Sequence, residues 1–337
     1  MRTVEWRADI VSMGPFIAAP SAAAAISAAA LFALLRAPGL MLDRPNERSL
    51  HARPVPRTGG IAIAAGALGA GAVLVPQTQL IIACATAIAL ISLLDDWKGL
   101  GALPRIGVHI VVAAIYVHYG LTPLTGLEWI FLVLAIVWAA NLYNFMDGSD
   151  GLAAGMAVIG FTAYAVSASI SGHAAVAVMS ATVVAASLPF LCVNFHPARI
   201  FMGDAGSVTL GFLAAALGTL GWREGAWPAL LPVFVFSPFI LDASLTLFRR
   251  MLGRQRLWQA HREHYYQRLI RMGLGHRRTA LLEYAAMGLS AFGGTSLTSL
   301  GSTGQVALSL VWLAILLVFA FIVDRRWERH LGQCVDN

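Results

Sequence analysis

Charge is what this chain lacks. Of its 337 residues only 12% are Asp, Glu, Lys or Arg, while 58% are hydrophobic. Soluble domains carry about 25% charged residues, so a water-soluble globular fold is excluded. Cysteine is scarce as well. Cys84 and Cys192 lie in apolar runs, Cys334 lies near the C-terminus and no CxxC spacing occurs, so neither a disulfide nor a zinc site is expected. No internal repeat is present, which removes one support for a transporter, since many transporter folds are built from repeats. The net charge of +6 belongs to loops that face anionic lipid, and no nucleic-acid partner is expected.

What is present is eleven apolar runs, at about 16–36, 59–75, 79–94, 106–121, 129–146, 152–171, 174–193, 207–222, 226–248, 280–300 and 304–323. Crossing a bilayer takes roughly 17–25 apolar residues, and the run at 79–94 is short for that. The expected fold is all-α, a single polytopic domain over residues 1–337 with about eleven transmembrane helices. Ala- and Gly-rich stretches at 17–33 and 61–73 suit close helix packing. With the N-terminus outside, the segments 36–58, 95–105, 147–151, 194–206 and 249–278 and the tail 324–337 lie in the cytoplasm. Of the 23 Lys and Arg, only Arg2, Arg7 and Arg223 fall outside those segments, as the positive-inside rule requires. Residues 1–36 have the basic start and Ala-rich core of a signal peptide. The run is long for that role and Arg36, Arg44 and Arg48 follow it, so it is expected to be the first span.

The acids fall in the polar gaps on the cytoplasmic side. Asp95 and Asp96 end the third run as adjacent carboxylates, whose repulsion a metal or another cation relieves. Alone, the pair equally suits a span end marked by solvated charge. In Asn141-Leu-Tyr-Asn144-Phe-Met-Asp147-Gly-Ser-Asp150-Gly151, two Asn three residues apart share a helix face, and Asp147 continues the stripe. Unpaired amides in an apolar helix are costly, which points to a ligand more than to a capped turn. Asn194-Phe-His196-Pro-Ala-Arg199-Ile-Phe-Met-Gly203-Asp204-Ala-Gly206-Ser207 sets an acid between glycines just before a span. Asp204 there suits either a helix cap or a metal ligand, with backbone N–H groups near phosphate oxygens.

Two basic segments complete the polar inventory. His51-Ala-Arg53-Pro-Val-Pro-Arg57-Thr58-Gly59-Gly60 is stiffened by its prolines and suits either a phosphate clamp or a plain connector. His261-Arg262-Glu263-His264-Tyr265-Tyr266-Gln267-Arg268 suits a diphosphate and sugar hydroxyls, although two His at i, i+3 are weak evidence for a metal. Within the spans lie His109, His118, Asp242 and Glu283. Asp242 is a functional suspect or a helix–helix hydrogen bond, and His118 and Glu283 are expected to reach water.

Together and in this order, the motifs resemble the polyprenyl-phosphate N-acetylhexosamine-1-phosphate transferases, glycosyltransferase family 4, from about Asp43 to Arg278. The resemblance implies a cytoplasmic-face active site in a bacterial inner membrane, with a UDP-N-acetylhexosamine and undecaprenyl phosphate as substrates. It implies catalytic roles for Asp95, Asp96 and Asp204, with Asp204 the direct ligand of Mg²⁺ (Mn²⁺ being an alternative) and Asp96 beside it. Asn144, Asp147 and Asp150 fall on the nucleotide side, His261, Arg262 and His264 in the loop near the sugar and diphosphate, and Arg53, Arg57, Asn141 and Asn194 among the further substrate-binding residues. A homodimer is compatible with it. The translocase branch has consecutive histidines where Tyr265 and Tyr266 stand, so the chain looks more like the branch that initiates O-antigen. Two alternatives are weaker. Asp147-x-x-Asp150-Gly151-x-x-Ala154 fits the opening of the CDP-alcohol phosphotransferase motif, but Gly155 replaces its Arg and residues 156–171 hold no Asp. A transporter needs charged or broken helices near the midplane, and only Asp242 lies deep.

Overall fold

A chain in hydrocarbon must satisfy its backbone hydrogen bonds internally, so each apolar run becomes a helix. A computed structural model describes residues 5–37, 39–43, 54–256 and 261–335; His51 and Arg53 lie outside them. The helices are α1 (Glu5–Leu35), α2 (Gly59–Leu74), α3 (Gln79–Lys98), α4 (Ala102–Gly120), α5 (Gly126–Phe145), α6 (Leu152–Ile170), α7 (Ala174–Asn194), α8 (Asp204–Arg223), α9 (Leu230–Val235), α10 (Ser237–Leu252), α11 (Tyr265–Leu269), α12 (Gly275–Ser296) and α13 (Ser302–Val335). Among the described residues, eight helices are long and apolar enough to cross a membrane, and α2 is a shorter apolar one. A two-residue antiparallel ladder joins β1 (Leu42–Asp43) to β2 (Val55–Pro56). The architecture is that of an all-α polytopic membrane protein.

Three local features depart from the hydropathy pattern. The short run at 79–94 belongs to a 20-residue helix, α3, so Asp95 and Asp96 are helical and sit on its last turn. The run 226–248 is broken at Phe236 into α9 and α10. Pro238 has no N–H to offer the Phe234 carbonyl. The Ser237 hydroxyl donates to it instead, at 2.6 Å, which keeps the break satisfied in apolar surroundings. Glu283 does not reach water. Because α12 begins at Gly275, Glu283 lies two turns into the helix and is buried.

α8 is the axis of the bundle. In its most apolar stretch 78% of the residues are buried, against 22% for α1 and for α13. It packs on α3 and α5, and a Cβ at Gly211 would lie 2.5 Å from the Ala139 carbonyl oxygen, so the α5 and α8 backbones touch. Buried phenols tie the layers together. Tyr116 donates to Ala216 O at 2.7 Å, Tyr164 to Ala214 O at 3.1 Å and Tyr143 to Ala153 O at 2.7 Å. Interhelical bonds of this kind contribute about 0.6 kcal/mol each in a membrane.

At one end of the bundle, two glycine-bearing segments are zipped together. Phe201 N donates to Pro56 O at 2.8 Å, Gly59 N to Phe201 O at 2.9 Å and Gly60 N to Met202 O at 2.8 Å. A Cβ at Gly60 would lie 2.3 Å from Gly206 N, a backbone atom that cannot swing aside. Gly60→Val should therefore lower the melting temperature of the detergent-solubilised protein by several degrees, an overpacking penalty of at least about 1–3 kcal/mol. Gly69→Ala, which would approach nothing closer than 4.0 Å, should leave the melting curve in place.

Candidate active site

Three carboxylates meet at that end, and two guanidiniums hold them. Asp95 and Asp96 come from the last turn of α3, which stops at Gly99 (φ +65°). Asp204 opens α8 directly after Gly203 (φ +74°). Arg57 precedes α2, and Arg105 lies in the first turn of α4. Arg57 Nη2 bonds Asp96 Oδ1 at 3.0 Å and Asp204 Oδ1 at 3.1 Å. Arg105 Nη1 bonds Asp95 Oδ2 and Asp204 Oδ2, both at 2.7 Å. Asp204 is thus shared between two arginines, each of which also holds one member of the acidic pair. The backbone N–H of Ala205 donates to Asp96 Oδ2 at 3.1 Å. A Cβ at position 203 would sit 2.7 Å from the Arg57 carbonyl oxygen and 3.0 Å from Asp96 Oδ2, so glycine is required both by its φ and by the approach of the acid.

Asn144, at the end of α5, joins this group. Its Nδ2 donates to Asp204 Oδ2 at 3.3 Å, and its Oδ1 accepts from Ser207 Oγ at 2.8 Å. Asn141 bonds Val137 O of its own helix at 2.7 Å and no carboxylate. Asp147 lies close enough to feel Asp204, Asp96 and Arg57. Burial pushes its carboxyl well above the usual range, the two acids add to the rise and Arg57 opposes it. Burial acts to lower the pKa of Arg57, but Asp96, Asp204, Asp43 and Asp147 outweigh it and the net shift is upward. The guanidinium therefore stays charged.

Asp150 and Asn194 belong to an adjoining group. Asn194, 3% exposed, accepts from Gly151 N at 2.9 Å and donates to Ile200 O at 2.9 Å. It braces the 147–151 turn against the 195–203 segment. Asp150 Oδ2 lies 2.6 Å from His196 Nδ1 and accepts from Ala198 N at 3.2 Å. His276 stacks on His196 with a ring separation of 5.4 Å and approaches Ser149 Oγ at 3.0 Å. Neither His196 nor His276 stood out in the sequence as a site residue. The one signal for His276 is that it sits one residue past a glycine, at the start of a helix.

The His-rich segment is held by Asp242. Its Oδ1 accepts from Tyr265 N at 3.0 Å and faces His264 Nδ1 at 3.0 Å, and its Oδ2 accepts from Tyr266 N at 3.0 Å. The acid on which a transport reading would rest is therefore engaged in anchoring a loop. His264 stacks between His261 (5.0 Å) and Phe145 (6.2 Å), and Tyr266 Oη donates to Phe145 O at 3.2 Å, which brings the loop to the end of α5. Burial, with His264 and Arg250 nearby, pushes His261 down to about 4, so it is neutral near pH 7. The Arg262 carbonyl accepts from Arg271 Nη1 at 3.2 Å. Arg53 lies outside the described residues.

Among the described residues no three His, Cys, Asp or Glu side chains converge closely enough to cage a metal unaided. A hard divalent ion that takes one or two carboxylates and completes its shell with water and phosphate oxygens needs no such cage. Asp204 and Asp96, already bridged by a cation, have the donor chemistry for it. An apolar groove of about 390 Å³ runs along α5, α8, α9 and α10, from Leu142 and Tyr143 past Gly211 and Phe236 to Glu128 and Trp222. Its lining includes the residues just before Asn144. The arrangement offers phosphate-compatible charge at the ends of α3, α5 and α8.

The family model described as glycosyl transferase family 4 matches residues 78–221. A Bacillus subtilis (strain 168) protein, a probable undecaprenyl-phosphate N-acetylglucosaminyl 1-phosphate transferase, is 31% identical over 84% of this chain and 82% of its own. The decaprenyl-phosphate N-acetylglucosaminephosphotransferase of Mycobacterium tuberculosis (strain ATCC 25618 / H37Rv) is 32% identical over 75% of this chain and 74% of its own. The undecaprenyl-phosphate alpha-N-acetylglucosaminyl 1-phosphate transferase of Escherichia coli (strain K12) is 26% identical over 86% and 85%. With that identity sustained over most of both chains, the chain belongs to glycosyl transferase family 4, among the polyprenyl-phosphate N-acetylhexosamine-1-phosphate transferases.

Proposed function

We propose that the protein transfers an N-acetylhexosamine-1-phosphate from a UDP-sugar to undecaprenyl phosphate at the cytoplasmic face of a bacterial inner membrane. UMP is released, and the product begins a lipid-linked envelope glycan such as O-antigen. The observation that carries this reading is the bridging of Asp95, Asp96 and Asp204 by Arg57 and Arg105. The names of the relatives point to N-acetylglucosamine as the sugar. The Lys and Arg distribution supports an outside N-terminus and a cytoplasmic C-terminus.

In the reaction, an oxygen of the lipid phosphate forms a bond to the β-phosphorus of the UDP-sugar. The bond from that phosphorus to the bridging oxygen breaks, and the electron pair leaves with UMP. Phosphoryl transfer asks mainly for positioning and charge neutralisation. A phosphate monoester's second pKa is near 6, so the acceptor is already ionised near neutral pH and needs no strong base. Arg57 and Arg105 can turn toward phosphate oxygens while remaining tethered by carboxylates. Asp95 or Asp96 orients the acceptor, or takes the residual proton when it is still monoprotonated. Asn144, Asp147 and Asp150 line the nucleotide side, and His261, Arg262 and His264 approach the sugar and diphosphate from the loop held by Asp242. Bound through Asp204 and Asp96, Mg²⁺ would supply further neutralisation of the diphosphate.

The test is UMP release by purified protein in detergent with undecaprenyl phosphate, Mg²⁺ and a panel of UDP-N-acetyl sugars. Release should require both lipid and divalent ion, and Asp204→Asn should reduce kcat by about 10²-fold or more, the scale of losing one preorganised charge contact. UDP-sugar binding without UMP from any donor would refute the reading. Arg105→Gln should also reduce turnover, because it leaves Asp95 and Asp204 without their shared cation; unchanged kinetics would remove Arg105 from the machinery. Asp242→Asn should raise the KM for the UDP-sugar more than it lowers kcat, since it loosens the His264 loop and leaves the carboxylate cluster intact.

A further inference from the structure

One face of α13 changes character along its length. Leu316, Phe319 and Val323 follow one another at helical spacing, and Arg326, Arg329 and His330 continue the same stripe. Two cavities lie along this face. One, of about 480 Å³, is walled by Leu274, Phe319 and Ile322, with Arg326, Arg329 and His330 at its rim. The other, of about 210 Å³, lies deeper, against Leu289, Trp312, Ile315 and Leu316. They share Leu282 and Phe319 as walls, so they follow one another along the helix. The acids on the deeper wall are Asp242, whose oxygens are taken by residues 264–266, and Glu283. From Ile315 to Arg326 the helix rises about 16 Å, close to the depth of one hydrocarbon leaflet.

The charges at the rim are not neutralised from within. Asp324 is held by Arg249 and Arg268, and Arg325 faces Glu328. Among the described residues no carboxylate pairs with Arg326 or Arg329, and both are exposed. A basic rim opening onto an apolar crevice one leaflet deep is complementary to a molecule with an anionic head and acyl chains.

We propose that this crevice between α12 and α13 is a binding site for an anionic phospholipid of the leaflet on the carboxylate side. The head group lies on Arg326, Arg329 and His330, and an acyl chain runs past Leu282 and Phe319. The wall formed by Leu269 and residues 272–274 continues directly from α11, which begins after His264. A bound lipid therefore braces the loop that Asp242 anchors from its other side.

Thermal unfolding of the full chain in detergent tests this without reference to turnover. Phosphatidylglycerol should raise the melting temperature by several degrees, while phosphatidylcholine and inorganic phosphate should not. The double variant Arg326→Gln/Arg329→Gln should lose most of that shift, and Arg277→Gln/Arg278→Gln, an exposed basic pair outside the crevice, should keep it. Native mass spectrometry should show the first double variant retaining less phosphatidylglycerol than the parent, which keeps the test decisive if that variant is itself less stable. Equal loss in both double variants would reduce the effect to bulk charge and overturn the site. So would an equal shift from inorganic phosphate, or undiminished lipid retention.

Discussion

Three carboxylates drawn together at a membrane surface repel one another unless cations lie between them, and the rest of this structure is arranged to supply those cations. Arg57 and Arg105 each span two acids, with Asp204 common to both. Satisfying that pattern requires the ends of α3, α4 and α8 and the segment before α2 to meet at one place. The Asp147 carboxyl, raised first by burial and further by Asp204 and Asp96 against the pull of Arg57, belongs to the same charge balance.

Steric constraints make the meeting possible. The backbone zipper between residues 56–60 and 201–202 leaves no room for side chains at Gly60, Gly203 and Gly206. The glycines of two motifs far apart in the chain are therefore two halves of one contact. That contact delivers Arg57 to Asp204. The histidine loop is positioned separately, by Asp242 from within the bundle and by Phe145 at the end of α5. The site thus has a charged cluster fixed by helix ends and, at the end of α5, a histidine loop fixed by Asp242 and Phe145.

Much of this was legible in the chain. Hydropathy and the distribution of Lys and Arg are sums of local transfer energies, so they reported the apolar runs and the gathering of Asp95, Asp96, Asn144 and Asp204 at one end. The same local character hid other features. Arg105 read only as one more basic loop residue, yet it bonds an acid 99 positions away. His276 drew no notice within the segment 249–278, yet it stacks on His196. Asp242 drew notice as an acid inside a span, but its role depends on which loop folds back over α10.

The sequence by itself determined which segments are apolar enough to become membrane helices and which acids lie between them, because burial in lipid acts on residues one at a time. It counted about eleven spans where eight described helices are long and apolar enough to cross, because helix bounds depend on packing. Only the tertiary structure decided which cation serves which carboxylate, which Asn turns toward Asp204 and which acid holds a loop. Those pairings are set by the close backbone approach of helices distant in sequence, and no local energy encodes it.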